Sequence, residues 1–489
     1  MAKLFLDLNS IDGYKTFLKV KSLPLYRFVG REAWFPDEYA GELGLSAEKA
    51  KEKKYSPSSS LFDYQEGISR IAIRKRKFSV FADCGLGKTL IAFELVKHAL
   101  SCMGQDRAAL IISPSMVIDQ TISELMRFYG KELPIERVRA AGLKSWMHFG
   151  KCRLGITNWE ALSDEITGPG RVDCVVADES SYLKSQYGKW GTRLIHLGRG
   201  LTWKLCLTGT PAPNDRIEYA NHAVFMDRFP NVNSFLSKYF INRGETQNRW
   251  ELKPHALHSF YRSLSHWCIF LTNPSVYGWK DNTKPLPSID VKYLNVPLTD
   301  AQWEKAIEVT SNIMGIPGGI GERSKVAQIA KSSAGYKPKF IADLARASDA
   351  GTIIWCKYNE EQDELYRLLP EAANISGDTP ENRRIELIRE FKQGTKKIIL
   401  TKDKILGYGL NLQMCHRMIF STLMDSAEGY YQCIKRANRY GSVHPLEVLI
   451  PATDIELTMV NNVFRKLERM EQDNREQEKI FRQESIGLM

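Results

Sequence analysis

From Leu61 onward the chain alternates short apolar runs with amphipathic, helix-like stretches. The runs Phe78–Ala82, Ala108–Ser113, Leu154–Thr157, Cys174–Ala177 and Lys204–Leu207 show little polar alternation. That is the pattern of strands covered on both faces of a parallel sheet. It returns at Gly351–Trp355, Lys396–Leu400, Arg417–Phe420 and Glu447–Ile450. The pattern predicts two α/β units, one before about residue 225 and one from about 335 to 455.

The remaining segments read differently. Residues 1–60 are dense in aromatics (Tyr14, Phe17, Tyr26, Phe28, Trp34, Phe35, Tyr39) and run into a charged, then Ser/Pro-rich linker, Ala47–Lys54 and Ser56–Ser60. They are expected to form a small capping subdomain; an aromatic and basic nucleic-acid surface is the other reading. Between the two units, residues 226–334 carry Phe229, Phe235, Tyr239, Phe240, Trp250, Phe260, Tyr261 and Trp267, with a break at Gly315–Gly319. They read as a helical insertion and linker whose aromatics serve as core. In residues 456–489, Leu457, Val460, Val463, Phe464, Leu467 and Met470 recur at helical spacing. From Arg465 on, six basic residues balance six acidic ones, which predicts a solvated helix rather than a basic arm. The expected division is therefore 1–60, 61–225, 226–334, 335–455 and 456–489.

Composition narrows the classes. With 489 residues, 43% hydrophobic and 26% charged, the chain has ample core for about three folded units. Against 57 acidic residues it carries 68 Lys and Arg, a net charge of +11 that mildly favours a polyanionic partner. No apolar stretch is long enough to span a bilayer, and Asp7 and Asp12 interrupt any signal-like start. The nine cysteines are too far apart for paired zinc ligands; buried, reduced thiols and a cytoplasmic or intracellular location (a host cytoplasm for a viral form) are expected.

The chemistry begins where strand Phe78–Ala82 runs into Asp83-Cys84-Gly85-Leu86-Gly87-Lys88-Thr89 and a helical run. Except that Ala82 stands at the first glycine, this is a P-loop. Gly85 and Gly87 let main-chain N–H groups wrap phosphate oxygens, and the helix N-terminus adds a favourable dipole. Lys88 is suited to the β- and γ-phosphates of ATP, and Thr89 to Mg²⁺. About 90 residues on, the apolar run Cys174–Ala177 ends in Asp178-Glu179. Carboxylates at the C-terminal end of a parallel strand lie where such sheets bind ligands. Asp178 is the candidate metal ligand, and Glu179 the group that orients and deprotonates water.

These stretches resemble superfamily 2 helicases and translocases, most closely Swi/Snf-type DNA-dependent ATPases, whose first motif is AxxGxGKT. Gln65 in Asp63-Tyr64-Gln65 resembles the adenine contact, and Ser113-Pro114 the motif touching the nucleic-acid backbone. Leu207–Asn214, with Thr208 and Thr210, resembles the coupling motif LTGTPxxN. Gly377 and Thr379 with Phe391 are similar to GxT…F, Gly407–Leu412 with Gly409 and Asn411 to GxGLNL, and Gln432, Arg436 and Arg439 to QxxxRxxR. Leu286-Pro287 and Leu298-Thr299…Gln302 look like the linker between lobes. The resemblance implies two tandem RecA-like lobes, ATP and Mg²⁺ as cofactors, and DNA as partner, duplex favoured over other nucleic acid. It also implies that Arg436 and Arg439, three apart on an expected helix and so sharing a face, finish the ATP site from the second lobe.

Ser180-Ser181 follows Asp178-Glu179 where the family has Ala-His, and Phe270-Leu271 stands where Swi/Snf-type proteins carry Arg-Arg. The large insertions of eukaryotic remodellers are absent, which suits a compact prokaryotic or viral form. An ATP-driven translocase on duplex DNA is the leading expectation. A strand-separating DNA or RNA helicase is the first alternative. The second is a nucleotide-dependent clamp that recruits a protein partner through the N-terminal segment or the C-terminal helix.

Overall fold

The computed structural model describes residues 2–23, 25–36, 39–40, 43–45, 53–244, 250–280, 286–311, 314–315, 320–331, 335–406, 412–423, 426–439 and 442–484. The chain splits into two compact units. One comprises Met1–Asp83, Gly87–Lys280 and Gln472–Met489, the other Cys84–Leu86 and Asp281–Glu471.

The first unit is built on a seven-stranded sheet in which every pairing is parallel. Its order is Cys268–Leu271, Lys77–Ala82, Trp203–Thr208, Val172–Asp178, Ala108–Ser113, Leu154–Asn158 and Glu136–Arg137. Ala108–Ser113, AALIIS, is buried along its whole length, as a strand flanked by helices on both faces must be. The expected aromatics do serve as core: Phe229, Phe235, Tyr239, Phe240, Phe260, Tyr261 and Trp267 join one cluster with Phe81 and Val175.

The second unit holds a six-stranded parallel sheet. The order is Ile289–Asn295, Leu446–Ala452, Arg417–Phe420, Thr352–Cys356, Ile398–Lys402 and Ala373–Asn374. Two parallel α/β sheets flanked by helices are thus the architecture that the apolar runs predict. Two strands arise from the interval read as insertion and linker. Cys268–Leu271 pairs with the P-loop strand in the first sheet, and Ile289–Asn295 with Leu446–Ala452 in the second.

The N-terminal segment forms a three-stranded antiparallel sheet, Ala2–Phe5, Glu32–Phe35 and Arg27–Val29, against helix Ile11–Ser22. Its small core gathers Leu6, Val20, Leu23, Ala33 and Phe35. The tail is a single helix, Leu457–Glu484. Val460 and Val463 are buried in the second unit's core, with Phe464, Leu467 and Met470 against it, while Leu457 is exposed. The expectation of a solvated far half is corrected: Asp473, Gln477, Glu478, Ile480 and Phe481 are buried in the first unit. Charge balance hid this, because Asp473 is neutralised by Arg216 and Glu478 accepts from Thr272. All nine cysteines are free thiols, six of them buried, and Cys102 is exposed. Among the described residues, no helix is long and apolar enough to cross a membrane.

Candidate active site

Four neighbouring strands of the first sheet end in Ala82, Thr208, Asp178 and Ser113. Parallel pairing puts these C-terminal ends on one edge, which brings together four motifs separated by up to 126 positions in sequence. Beyond Ala82, the Asp83 N–H donates to Leu271 O at 2.9 Å, tying the turn to the neighbouring strand. Gly85 and Gly87 have φ of +89° and +68°, and a Cβ on Gly87 would collide with the Gln65 amide. The positive φ calls for glycine at 87, and a side chain there would also push the Gln65 amide aside.

Gln65 is buried in the first turn of helix Asp63–Lys75, its Oε1 accepting from Phe62 N–H at 3.0 Å. The half-buried Lys88 opens helix Lys88–Cys102, beside Thr89, and its Nζ donates to Ala82 O at 2.8 Å and Asp83 O at 3.3 Å. Main-chain carbonyls are neutral acceptors, which an ammonium readily exchanges for charged phosphate oxygens.

The Asp178 carboxylate accepts from the Ser113 hydroxyl at 2.8 Å, and its main-chain carbonyl from Trp159 Nε1 at 3.0 Å. Desolvation raises the Asp178 pKa above the ordinary carboxylate value, while Ser113 and the Lys88 charge act against it. Ser113 and Pro114 are themselves buried, so the pair forms part of this site's wall. Glu179 lies in the left-handed region, φ +48° and ψ +51°, which is unusual for a residue with a side chain. Thr208 Oγ1 stands 3.4 Å from Glu179 Oε2 and also accepts from Thr210 N–H at 3.2 Å; both threonines are buried. Asn214 closes the loop, donating from main chain and side chain to Glu218 at 2.9 Å each. Trp159 and Glu218 were not singled out from sequence. The i,i+4 spacing of Asn214 and Glu218 was a signal for the second.

In the second unit, helix Ala427–Ala437 carries Gln432 and Arg436. Arg436 is buried and folds back on its neighbour, donating to Gln432 Oε1 at 2.8 Å and Gln432 O at 3.2 Å. Gln432 Nε2 is buried without a hydrogen-bond partner among the described residues. Leu412 N–H donates to Arg436 O at 3.0 Å, which fastens the end of the GxGLNL stretch to this helix. The expectation that Arg436 and Arg439 share a helical face is corrected. The helix ends at Ala437, Asn438 takes ψ +84°, and Arg439 lies beyond, its N–H bonded to Ser442 Oγ at 3.2 Å. Gly377 sits in an exposed turn where Thr379 Oγ1 accepts from Ser376 N–H, and Phe391 is core. Gly409 and Asn411 lie outside the described residues.

The SNF2-related domain matches residues 79–335, more than half of the chain. This chain belongs to the SNF2-related family. The helicase conserved C-terminal domain follows at 336–441. The SNF2-related chain is accordingly an ATP-dependent nucleic-acid motor of superfamily 2. It is similar to protein p41 of Acyrthosiphon pisum secondary endosymbiont phage 1, with 22% identity over 417 residues, covering 76% of this chain and 87% of p41. With the ATP-dependent RNA helicase eIF4A of Yarrowia lipolytica it shares 27% identity over 111 residues, 22% of this chain and only 28% of that protein. Among solved structures, the Sulfolobus solfataricus SWI2/SNF2 ATPase core in complex with dsDNA aligns over 87% of this chain and 96% of that one. There the identity is 17% and the TM-score 0.40.

Proposed function

We propose that this SNF2-related chain translocates on duplex DNA, driven by ATP-dependent closing and reopening of its two RecA-like lobes. The observation that carries the reading is the shared sheet edge, where the P-loop, Asp178-Glu179 and Thr208 meet. The site suits a magnesium nucleotide: Gly85 and Gly87 adopt the positive φ that lets a main chain curl around phosphates, and Thr89 and Asp178 offer the hard oxygens that Mg²⁺ prefers. When bound, Mg²⁺ would neutralise developing charge on the phosphates. Lys88 holds the phosphates, Gln65 faces the adenine, and Glu179 positions the attacking water and takes its proton. Arg436, aided by Arg439 and Gln432, completes the charge complement from the second lobe, and Gly409 belongs to that half of the site. Nucleic acid is gripped by its backbone, through the loops that carry Ser113-Pro114, Thr208, Thr210, Gly377 and Asn411, since Ser113, Pro114, Thr208 and Thr210 are themselves buried. No base-reading motif accompanies them, so binding is independent of sequence.

Displacement of a third strand from a triplex tests the track. ATP-dependent displacement without unwinding of a forked duplex supports the translocase. Unwinding from a single-stranded DNA or RNA tail would replace it with the helicase reading. Absent turnover with every nucleic acid would leave the nucleotide-dependent clamp.

A further inference from the structure

Helix Tyr219–Phe225 belongs to none of the motifs above, yet it touches residues beside three of them. His222 on it is fully buried. Its Nε2 lies 3.1 Å from the hydroxyl of Ser180, the residue after Glu179. Its Nδ1 lies 3.4 Å from the main-chain carbonyl of Glu218, whose carboxylate holds Asn214 at the end of LTGTPxxN. The ring meets Phe81 edge-on, centroids 5.3 Å apart and planes at 89°; Phe81 directly precedes Ala82 of the P-loop. Next to it, Asn221 Nδ2 donates to Leu183 O at 2.9 Å and Ser185 O at 2.6 Å, securing the same helix to the turn that follows Glu179.

Burial lowers the His222 pKa to about 4, so the ring is neutral near pH 7. A neutral imidazole donates from one nitrogen and accepts at the other. With Nδ1–H directed to the Glu218 carbonyl, Nε2 accepts from Ser180. A buried histidine with both nitrogens satisfied can be mere core. Here, however, the bonded hydroxyl is one residue from a left-handed glutamate, a conformation that persists only where its surroundings hold it. The Tyr182 N–H donates to the Glu179 carbonyl at 3.3 Å, so the turn that Ser180 opens is what fixes the glutamate's main chain.

We propose that His222 is a positioning residue for Glu179. Through Ser180 it holds the glutamate's main chain in its left-handed conformation. Through Glu218 it links that setting to Asn214, so that the Asp-Glu strand and the LTGTPxxN loop move as one. The inference rests on the role given to Glu179 above.

The test is steady-state ATP hydrolysis by the full chain with duplex DNA, read with the dissociation constant of a fluorescent ATP analogue and the thermal midpoint. The variants are H222L, H222Q, S180A and S180A/H222L. H222L and S180A are expected to lower kcat roughly 10- to 100-fold, with analogue affinity within about twofold of wild type. The double variant is expected to fall no further than either single one, since both remove one bond. H222Q, whose side-chain amide can take the Nε2 place, is expected to recover most of kcat. Near-wild-type kcat in S180A or H222L, additive losses in the double variant, or analogue binding lost in step with kcat would overturn the proposal. If H222L does not fold, S180A probes the same bond with the ring in place. Failure of the underlying reading has its own signature: E179Q would then hydrolyse ATP like wild type.

Discussion

The two lobes hold their key cations in opposite ways. Lys88 is half-buried and rests on the carbonyl oxygens of Ala82 and Asp83, beside a loop whose Gly85 and Gly87 have positive φ. Arg436 is 5% exposed and bonded twice to Gln432. The first cation needs only to trade neutral partners for phosphate. On the proposed mechanism the second has to give up this internal bond to Gln432, whose Nε2 has no hydrogen-bond partner among the described residues, before it can act on the nucleotide. Under the proposed function, the contrast means that nucleotide capture is prepared in advance, whereas completion of the site is conditional. The proposed cycle needs that division, because in it hydrolysis waits for closure.

The comparison is broken most directly at Lys88. K88A is expected to lose detectable ATP hydrolysis together with nucleotide affinity, measured by steady-state turnover and analogue binding. R436A should separate the two: about 10³-fold lower kcat with unchanged affinity. R436K should not restore it, since an ammonium cannot reproduce the guanidinium fork. E179Q should lower kcat by about 10²–10⁴-fold and still bind nucleotide, which single-turnover assays read. Equal loss of binding in R436A would mean that its cation is engaged from the start, and the contrast between lobes would vanish.

Stability predictions sharpen the same picture around the first lobe. His222 is buried with a pKa of about 4 against an ordinary 6.5. The unfolded chain therefore binds the extra proton between these values, and stability rises with pH through that window and is lost as pH falls. The term is on the order of 3 kcal/mol; urea midpoints from pH 4 to 7 should be flatter in H222Q. His266, also lowered by burial, leaves part of the slope in place. D473A removes the carboxylate that holds Arg216 at 2.6 Å and accepts from Tyr261 at 2.8 Å. Arg216 is partly exposed, so the loss is about 2 kcal/mol rather than the full value for a buried pair. The exposed pair Lys292–Asp290, by contrast, should leave stability nearly unchanged when broken.

What was legible in the sequence was what burial writes plainly. Strands such as Ala108–Ser113 and Arg417–Phe420 are buried along their whole length and apolar but for one end residue, so run length nearly bounds them. The motifs assigned to the candidate ATP site follow such strands directly, which is what made their placement on one sheet edge legible. Cys268–Leu271 was missed because four apolar residues among aromatics fit a helix equally well. Ile289–Asn295, with Asp290 and Lys292, is an edge strand exposed along much of its length and lacks the buried pattern. The end of the helix before Arg439 depends on a local break at Asn438 that residue spacing does not reveal. His222 stayed hidden because a lone histidine in an apolar helix has no partner visible in sequence; the departure at Ser180-Ser181 was the nearest clue.

The most direct test of the central claim is the ATP turnover of the full chain with and without duplex DNA. Turnover should rise at least about tenfold with DNA, and the DNA affinity behind it should fall with log salt at a slope near −0.9 per phosphate engaged. A turnover rate indifferent to nucleic acid at every salt concentration would contradict it.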